Sequence, residues 1–159
     1  MPVPRPGGAP QAMFMIEAEL PERDATDMTM VLYEAVHNFP VSSREKVVGK
    51  SVVLGAVGRG KGISVETRKE YGRKLCEVGN YLMKKHMPDF KFTSMVINYN
   101  TTAYPHKDKG NRDDKVVAAG FGEYEGGNLQ IYDDEFGIKI LSEISIFHRM
   151  VSFSASGRE

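Results

Sequence analysis

The stretch SMVINYNTTAYPHKDKGN, Ser94–Asn111, is the most informative part of this 159-residue chain. It opens with β-branched and aromatic residues that predict a strand, and it ends in a polar turn that contains His106 and Asp108. Residues two apart on an extended strand point to the same face, so an imidazole nitrogen and a carboxylate oxygen here can reach one metal ion. The plainer interpretation of this His-x-Asp pair is a polar turn that Asp108 caps or bends.

The pattern of apolar residues changes from helical to strand-like near residue 90. Short runs rich in β-branched and aromatic residues predict strands over residues 92–99, 116–121, 129–132, 138–141 and 144–153. Before them, apolar residues at intervals of three and four predict a helix over residues 27–39 and a second from Ser64, as its N-cap, to Pro88. Helices followed by strands favour the α+β class, with the N-terminal helices packed on one side of an antiparallel sandwich or small barrel.

Length and composition limit the classes of protein to which this chain can belong. A chain of 159 residues fits one domain, which we predict over residues 13–159, after a flexible Pro/Gly-rich tail over residues 1–12. No run of eighteen apolar residues occurs, which argues against a membrane span and a membrane partner. The lone cysteine, Cys76, cannot form an internal disulfide, so we expect a reducing compartment, the cytoplasm or the nucleus.

The net charge of zero hides a segregation along the chain. Residues 44–92 carry twelve basic and five acidic side chains, a net charge of +7. A basic segment of this kind can bind a nucleic-acid partner, because each neutralised phosphate releases counterions. The alternative, which we favour on this pattern alone, is an ordinary solvated helix surface.

The order strand, His-x-Asp, strand, Gly-Gly-x-Leu turn, strand is similar to that of the 2-oxoglutarate- and Fe(II)-dependent dioxygenases. The matching residues are His106, Asp108, Gly126, Gly127 and Leu129. The resemblance covers roughly residues 50–159, and residues 92–111 look like members close to the TET/JBP nucleobase oxygenases and the prolyl hydroxylases. It implies an antiparallel double-stranded β-helix of the jelly-roll or cupin-like type. It also implies an oxidoreductase that binds Fe(II), takes 2-oxoglutarate as a small-molecule cosubstrate, and hydroxylates an unknown substrate such as a nucleobase or a protein side chain.

The resemblance makes His106 and Asp108 the first two iron ligands. Asn98, Tyr99 and Asn100, on the preceding strand, become candidates to face the pocket in which 2-oxoglutarate would chelate the metal. Because side chains alternate along a strand, Asn98 and Asn100 would share one face and Tyr99 the other. The alternative is ordinary strand polarity that faces water.

The chain departs from the family pattern at its C-terminal end, where the family has a third ligand, a late histidine, followed by a basic residue that pairs with 2-oxoglutarate. If His148 is that ligand, Arg158 can be the carboxylate anchor, and the enzyme is complete. The register of Met150–Glu159 instead matches the strand that leads into the late histidine, which would then follow Glu159. This second alignment favours a truncated, catalytically inactive binding module with an incomplete fold.

A third class is suggested by Gly55–Lys61, GAVGRGK, which matches the phosphate-binding pattern G-x-x-x-x-G-K. In a nucleotide-binding P-loop, the backbone amides would hold phosphates and Lys61 would reach the terminal ones. The next residue, Gly62, lacks the hydroxyl that orients Mg²⁺, and the chain does not alternate strands with helices. A glycine loop without nucleotide binding is the alternative.

Overall fold

The computed structural model describes residues 14–39, 47–56, 62–103, 115–132 and 140–154. The described elements are β1 Met15–Glu19, α1 Glu22–Ala35, β2 Val47–Gly55, α2 Glu70–His86, β3 Ser94–Ala103, β4 Lys115–Ala118, β5 Leu129–Tyr132, β6 Ile140–Ile144 and β7 Arg149–Ser154, with 3-10 helices at Val36–Asn38 and Val65–Arg68. This mixture of helices and antiparallel strands confirms the α+β class.

The chain divides into two compact units, which we call the helical unit, residues 22–104, and the strand unit, residues 1–21 with 105–159. The single domain over residues 13–159 therefore stays a prediction, which this division does not test. Within the described residues, no helix is both long and apolar enough to cross a membrane.

The helical unit packs α1 and α2 against the antiparallel pair of strands β2 and β3. Its core is a cluster of five buried residues, Ala35, Phe39, Val52, Leu54 and Leu75. Leu54 and Leu75 are fully buried at 0% exposure, so each removes an entire aliphatic side chain from water. Such burial stabilises the fold by about 1.5–3 kcal/mol per side chain. The core therefore joins both helices to one face of the β2–β3 strand pair.

The predicted first helix begins five residues early, at Glu22, and its α-helical part ends at Ala35. The early start places Glu22 and Asp24 in the first turn, where carboxylates interact favourably with the helix dipole. The chain then makes a 3-10 turn, Val36–Asn38, before Phe39 enters the core. The predicted helix end at residue 39 is therefore four residues later than the observed one, because the prediction counted this turn as part of the α-helix.

Ser64 is not the N-cap of the second helix, which begins at Glu70. The Ser64 hydroxyl instead donates to the carbonyl of Val53, with an oxygen–oxygen distance of 2.7 Å. A 3-10 turn, Val65–Arg68, separates Ser64 from α2. α2 runs close to this turn because Gly72 has no side chain; a Cβ atom there would collide with the backbone of Glu66.

The strand unit contains a three-stranded antiparallel sheet in the order β1-β7-β4 and a separate β5-β6 pair. The central strand, β7, buries Met150, Val151 and Ser152 because strands pair with it on both sides. Ser152 also donates its hydroxyl to a carboxylate oxygen of Glu17 on β1, at 2.6 Å. The described strands do not form a closed barrel, so the jelly-roll arrangement stays a prediction.

Candidate functional site

The predicted site residues fall in three places. His106, Asp108 and Arg158 lie outside the described residues. Asn98, Tyr99 and Asn100 lie on β3, in the helical unit, and His148 lies directly before β7, in the strand unit. The described part of the chain therefore tests the surroundings of four of these residues, but it does not test their convergence on a metal.

The three candidates on β3 are exposed. The strand has a register shift opposite Gly49, and Asn100 has a φ of 48° in the left-handed region. A bulge of this kind interrupts the alternation of side chains along a strand. The prediction that Asn98 and Asn100 share a face assumed a regular strand, and the observed backbone removes that assumption.

His148 is held by its backbone at a turn between strands. Its N–H donates to the carbonyl of Gly120 and its carbonyl accepts from the N–H of Leu20, each at 2.9 Å. Its φ of 53° also lies in the left-handed region, which is uncommon outside glycine and several-fold enriched in histidine. Two neighbouring segments of the strand unit therefore fix the position of the His148 backbone.

Aromatic rings surround the His148 imidazole. It stacks on Phe147 with a centroid separation of 3.8 Å and an interplanar angle of 18°, and its centroid lies 6.3 Å from that of Phe121. Tyr124 contacts the same Phe147 ring at 5.4 Å between centroids. We call Phe121, Tyr124, Phe147 and His148 the aromatic cluster. Phe147 is 44% exposed, so one ring of the cluster reaches the surface.

Two buried polar atoms of the aromatic cluster, Nε2 of His148 and Oη of Tyr124, have no hydrogen-bond partner within the described structure. Burial also raises the pKa of the Tyr124 hydroxyl above its ordinary value. Buried polar groups in folded proteins are paired in the large majority of cases, and an unpaired one often marks a ligand, an ion or a water. The free nitrogen of His148 therefore fits the role of a metal ligand or of a hydrogen-bonding partner.

The fit to iron is partial. Within the described residues, no three His, Cys, Asp or Glu side chains are close enough to hold one metal ion. His148 can supply one imidazole ligand, and the remaining ligands would have to come from the His106-x-Asp108 segment. Tyr124 was not singled out by the sequence, because a tyrosine in the turn-rich stretch before Gly126 has no pattern of its own that indicates a site.

The helical unit contains a second cluster of titratable groups, formed by Asp24, Lys85 and His86. The Asp24 carboxylate is 6% exposed and lies 2.9 Å from Nε2 of His86 and 3.0 Å from Nζ of Lys85. The hydrogen bonds from His86 and then Lys85 hold the pKa of Asp24 below its ordinary value. These contacts join the first turn of α1 to the last turn of α2. The cluster is therefore explained by its role in holding the two helices together.

The glycine stretch Gly55–Lys61 is described only at Gly55 and Ala56. The Gly55 N–H donates to the Thr67 hydroxyl at 2.8 Å, and the Gly55 carbonyl accepts from the Ser64 N–H at 2.9 Å. The first amide of the pattern is therefore already bonded within the protein. Every described sheet is antiparallel, whereas a nucleotide-binding P-loop belongs to a parallel sheet. Both observations count against the nucleotide-binding alternative.

Comparison with protein-family models, with curated proteins and with solved structures found no match to this chain.

Proposed function

We propose that this chain has the fold of an Fe(II)- and 2-oxoglutarate-dependent oxygenase and binds iron through the His106-x-Asp108 segment. The observation that carries the proposal is the order of elements around that segment. β3 ends three residues before His106, β4 follows, and a turn with positive φ at Gly126 and Gly127 opens β5. This order of elements agrees with the one that the resemblance implies, and it is what supports the proposal.

His106 and Asp108 would hold the metal, and the third ligand would be a histidine with a free ring nitrogen. Nε2 of His148 is buried and has no hydrogen-bond partner among the described residues, and its ring stacks on Phe147. When bound, iron supplies the oxidative chemistry on 2-oxoglutarate and oxygen, and the protein contributes ligands, orientation and exclusion of water. The alternative proposal is a catalytically inactive binding module of the same fold.

The proposed nucleic-acid partner depends on the basic side chains of residues 44–92. α2 and the turn before it carry many of the basic side chains of residues 44–92, but three of these are paired within the protein. Lys69, Lys74 and Lys85 lie 3.1, 3.6 and 3.0 Å from carboxylates of Glu66, Glu70 and Asp24. Because these pairs neutralise part of the charge, a nucleic-acid partner is proposed only through the basic side chains of residues 44–92 other than these three. A protein side chain is the other proposed substrate.

The direct test is an anaerobic titration of the purified chain with Fe(II) and 2-oxoglutarate, followed by visible absorption. We expect the weak charge-transfer band of the chelate in the unmodified protein and its loss in Asp108→Ala. Asp89→Ala, a carboxylate outside the predicted site, is the matched control and should keep the band. A folded protein that gives no band contradicts the oxygenase and supports the binding module.

A separate variant, His148→Ala, identifies the third ligand. Loss of the band with retained folding would assign His148 to the metal. Retention of the band would remove His148 from the ligand set and leave His106 and Asp108 as the ligands of this chain.

A further inference from the structure

The chain that leaves α2 carries two aromatic rings in nearly parallel planes. The Phe90 and Phe92 rings have an interplanar angle of 20° and a centroid separation of 6.2 Å. Phe90 is partly buried, Phe92 is 37% exposed, and Lys91 between them is exposed. We call Phe90, Lys91 and Phe92 the Phe-Lys-Phe segment. Single exposed apolar side chains are common on proteins, but two aligned rings around a lysine combine aromatic faces with a positive charge.

Backbone hydrogen bonds hold the Phe-Lys-Phe segment at both ends. The Phe90 N–H donates to the carbonyl of Met87, the residue that follows α2, at 3.1 Å. After the segment, the Thr93 carbonyl accepts from the N–H of Ala56, directly beyond β2, at 3.0 Å. A ligand that binds rings already held in place loses less conformational entropy than one that must order them.

Lysines flank the two rings. The last turn of α2 includes Lys84 and Lys85, and Lys91 lies between the rings. Lys85 is paired with Asp24 at 3.0 Å, but within the described residues neither Lys84 nor Lys91 has a carboxylate partner. Asp89 is the only acidic residue in the sequence from 84 to 92. In this part of the chain the lysines without a partner therefore outnumber the carboxylates.

This combination of groups fits single-stranded nucleic acid better than a protein. Aromatic side chains stack on the bases of a single strand, and a positively charged surface follows its phosphates. In a duplex the bases stack on one another, so their faces are not available to aromatic side chains. Protein interfaces are also enriched in aromatic residues, but lysine is depleted there.

We propose that the Phe-Lys-Phe segment, together with Lys84, is a binding surface for single-stranded nucleic acid. Bases stack on the Phe90 and Phe92 rings, and Lys84 and Lys91 contact phosphates. This inference rests on the nucleic-acid partner of the proposed function and gives it a place on the molecule. It does not depend on iron, because every residue that it uses lies among the described residues of the helical unit.

The first experiment uses tryptophan as a reporter of stacking. The chain has no tryptophan, so Phe92→Trp introduces a single indole at the proposed stacking position. The metal-free variant is titrated with short oligo-dT and oligo-rU strands. We expect the indole fluorescence to fall as bases stack on the ring. Val96→Trp, at another exposed apolar position of the helical unit, is the matched control and should keep its fluorescence.

The second experiment measures affinity by fluorescence anisotropy with labelled strands. Phe92→Leu keeps an apolar side chain of similar size, and we expect it to weaken binding by about 5–150-fold, the loss of one stacked base. Phe92→Tyr keeps an aromatic ring and should keep the affinity. Tighter binding of oligo-rU than of oligo-dT would identify RNA as the partner, and the reverse would identify DNA. Circular dichroism checks that each variant folds.

The dependence of affinity on salt tests the lysines. For a single strand, the logarithm of the affinity falls with the logarithm of the salt concentration, with a slope of about −0.7 per phosphate contact. Lys84→Gln and Lys91→Gln should each reduce the size of this slope by about 0.7. Lys74→Gln is the control, because that lysine is already paired with Glu70, and it should leave the slope unchanged.

Three results would overturn the inference. The first is a folded protein that binds neither strand, which would leave the two rings to a protein partner. The second is equal affinity for a duplex of the same length, because charge alone would then explain binding. The third is unchanged affinity in both Phe90→Leu and Phe92→Leu. If either Leu variant does not fold, the Phe92→Trp titration and the salt slopes still decide the question.

The failure of this inference can be distinguished from the failure of the oxygenase proposal. The oligonucleotides are bound without metal, and the chelate band is measured without nucleic acid. A protein that binds the strands but gives no band contradicts the oxygenase alone. A protein that gives the band but binds no strand contradicts this inference alone.

Discussion

Nε2 of His86 lies 2.9 Å from Oδ2 of Asp24, which joins the C-terminal end of α2 to the first turn of α1. The carboxylate is buried, the histidine side chain is only 13% exposed, and Lys85 approaches the same oxygen from the solvent side. Both helix ends gain from this arrangement, since an acid suits an N-terminus and a cation suits a C-terminus. The contact connects residues that are 62 positions apart in sequence.

Replacement of Asp24 by Asn should destabilise the protein by about 2 kcal/mol, because hydrogen bonds to charged groups contribute roughly 1.5–3 kcal/mol. The exposure of Lys85 reduces its share of this value. Asp27→Asn, an exposed carboxylate on the same helix, should change the free energy of unfolding by less than about 0.5 kcal/mol. Urea denaturation measures both, and equal effects would show that the buried contacts of Asp24 do not stabilise the fold.

The same carboxylate makes stability depend on acid. Hydrogen bonds from His86 and then Lys85 lower the pKa of Asp24 in the folded protein below its ordinary value of 3.8. The group therefore contributes its full stability above pH 3.8, and this contribution is lost as the pH falls through that value towards the lowered pKa. Asp24→Asn should flatten the acid limb of the plot of unfolding free energy against pH. An unchanged acid limb would contradict the assignment.

Leu75 is the clearest test of the core of the helical unit. It lies on α2 and is fully buried against the β2–β3 strand pair, so Leu75→Ala removes packed methyl groups and leaves a cavity. We expect a loss of about 2–5 kcal/mol in the free energy of unfolding. Val65→Ala, at a side chain 69% exposed, should cost less than about 0.5 kcal/mol. Similar losses for the two variants would contradict the described packing.

The aromatic cluster makes a prediction about Gly120 and Tyr124. A Cβ atom at Gly120 would collide with the Tyr124 hydroxyl, so Gly120→Ala should destabilise the protein by about 1–3 kcal/mol. Tyr124→Phe removes that oxygen, which has no partner among the described residues, and should raise stability by about 1 kcal/mol. In the double variant the cost of the Ala should be smaller. Thermal unfolding of the two single variants and the double variant measures this. If the two changes in unfolding free energy simply add in the double variant, position 120 and the Tyr124 hydroxyl are not in contact.

Much of the secondary structure follows from local pattern. β5 matches its predicted range of residues 129–132, and β3 differs from its prediction by two residues at its start and four at its end. β1 was missed because MIEAE has five residues, of which two are acidic and three are exposed, so its pattern is weak. It is a strand because it pairs with β7, more than 130 residues later in the sequence. Such distant partners leave little trace in the sequence around β1 itself.

Less of the candidate site could be anticipated. Residue types indicated His148 and the asparagines of β3, but not the left-handed backbone at His148 and Asn100. Those conformations depend on strand register and on hydrogen bonds with Gly120 and Leu20, which are distant in sequence from His148. Likewise, the Tyr124 hydroxyl, for which the described residues offer no hydrogen-bond partner, lies beside residues of another segment, among them Phe147.

Hydrogen bonds among Gly55, Ser64 and Thr67 join the end of β2 to the residues that follow the glycine-rich stretch. Because these hydrogen bonds hold both ends of the stretch, a change in its length should have little effect on the β2–β3 strand pair or on α2. A peptide tag inserted between residues 58 and 59 should therefore leave the melting temperature of the protein nearly unchanged. This junction is therefore a position at which a peptide can be inserted without disturbing the rest of the helical unit.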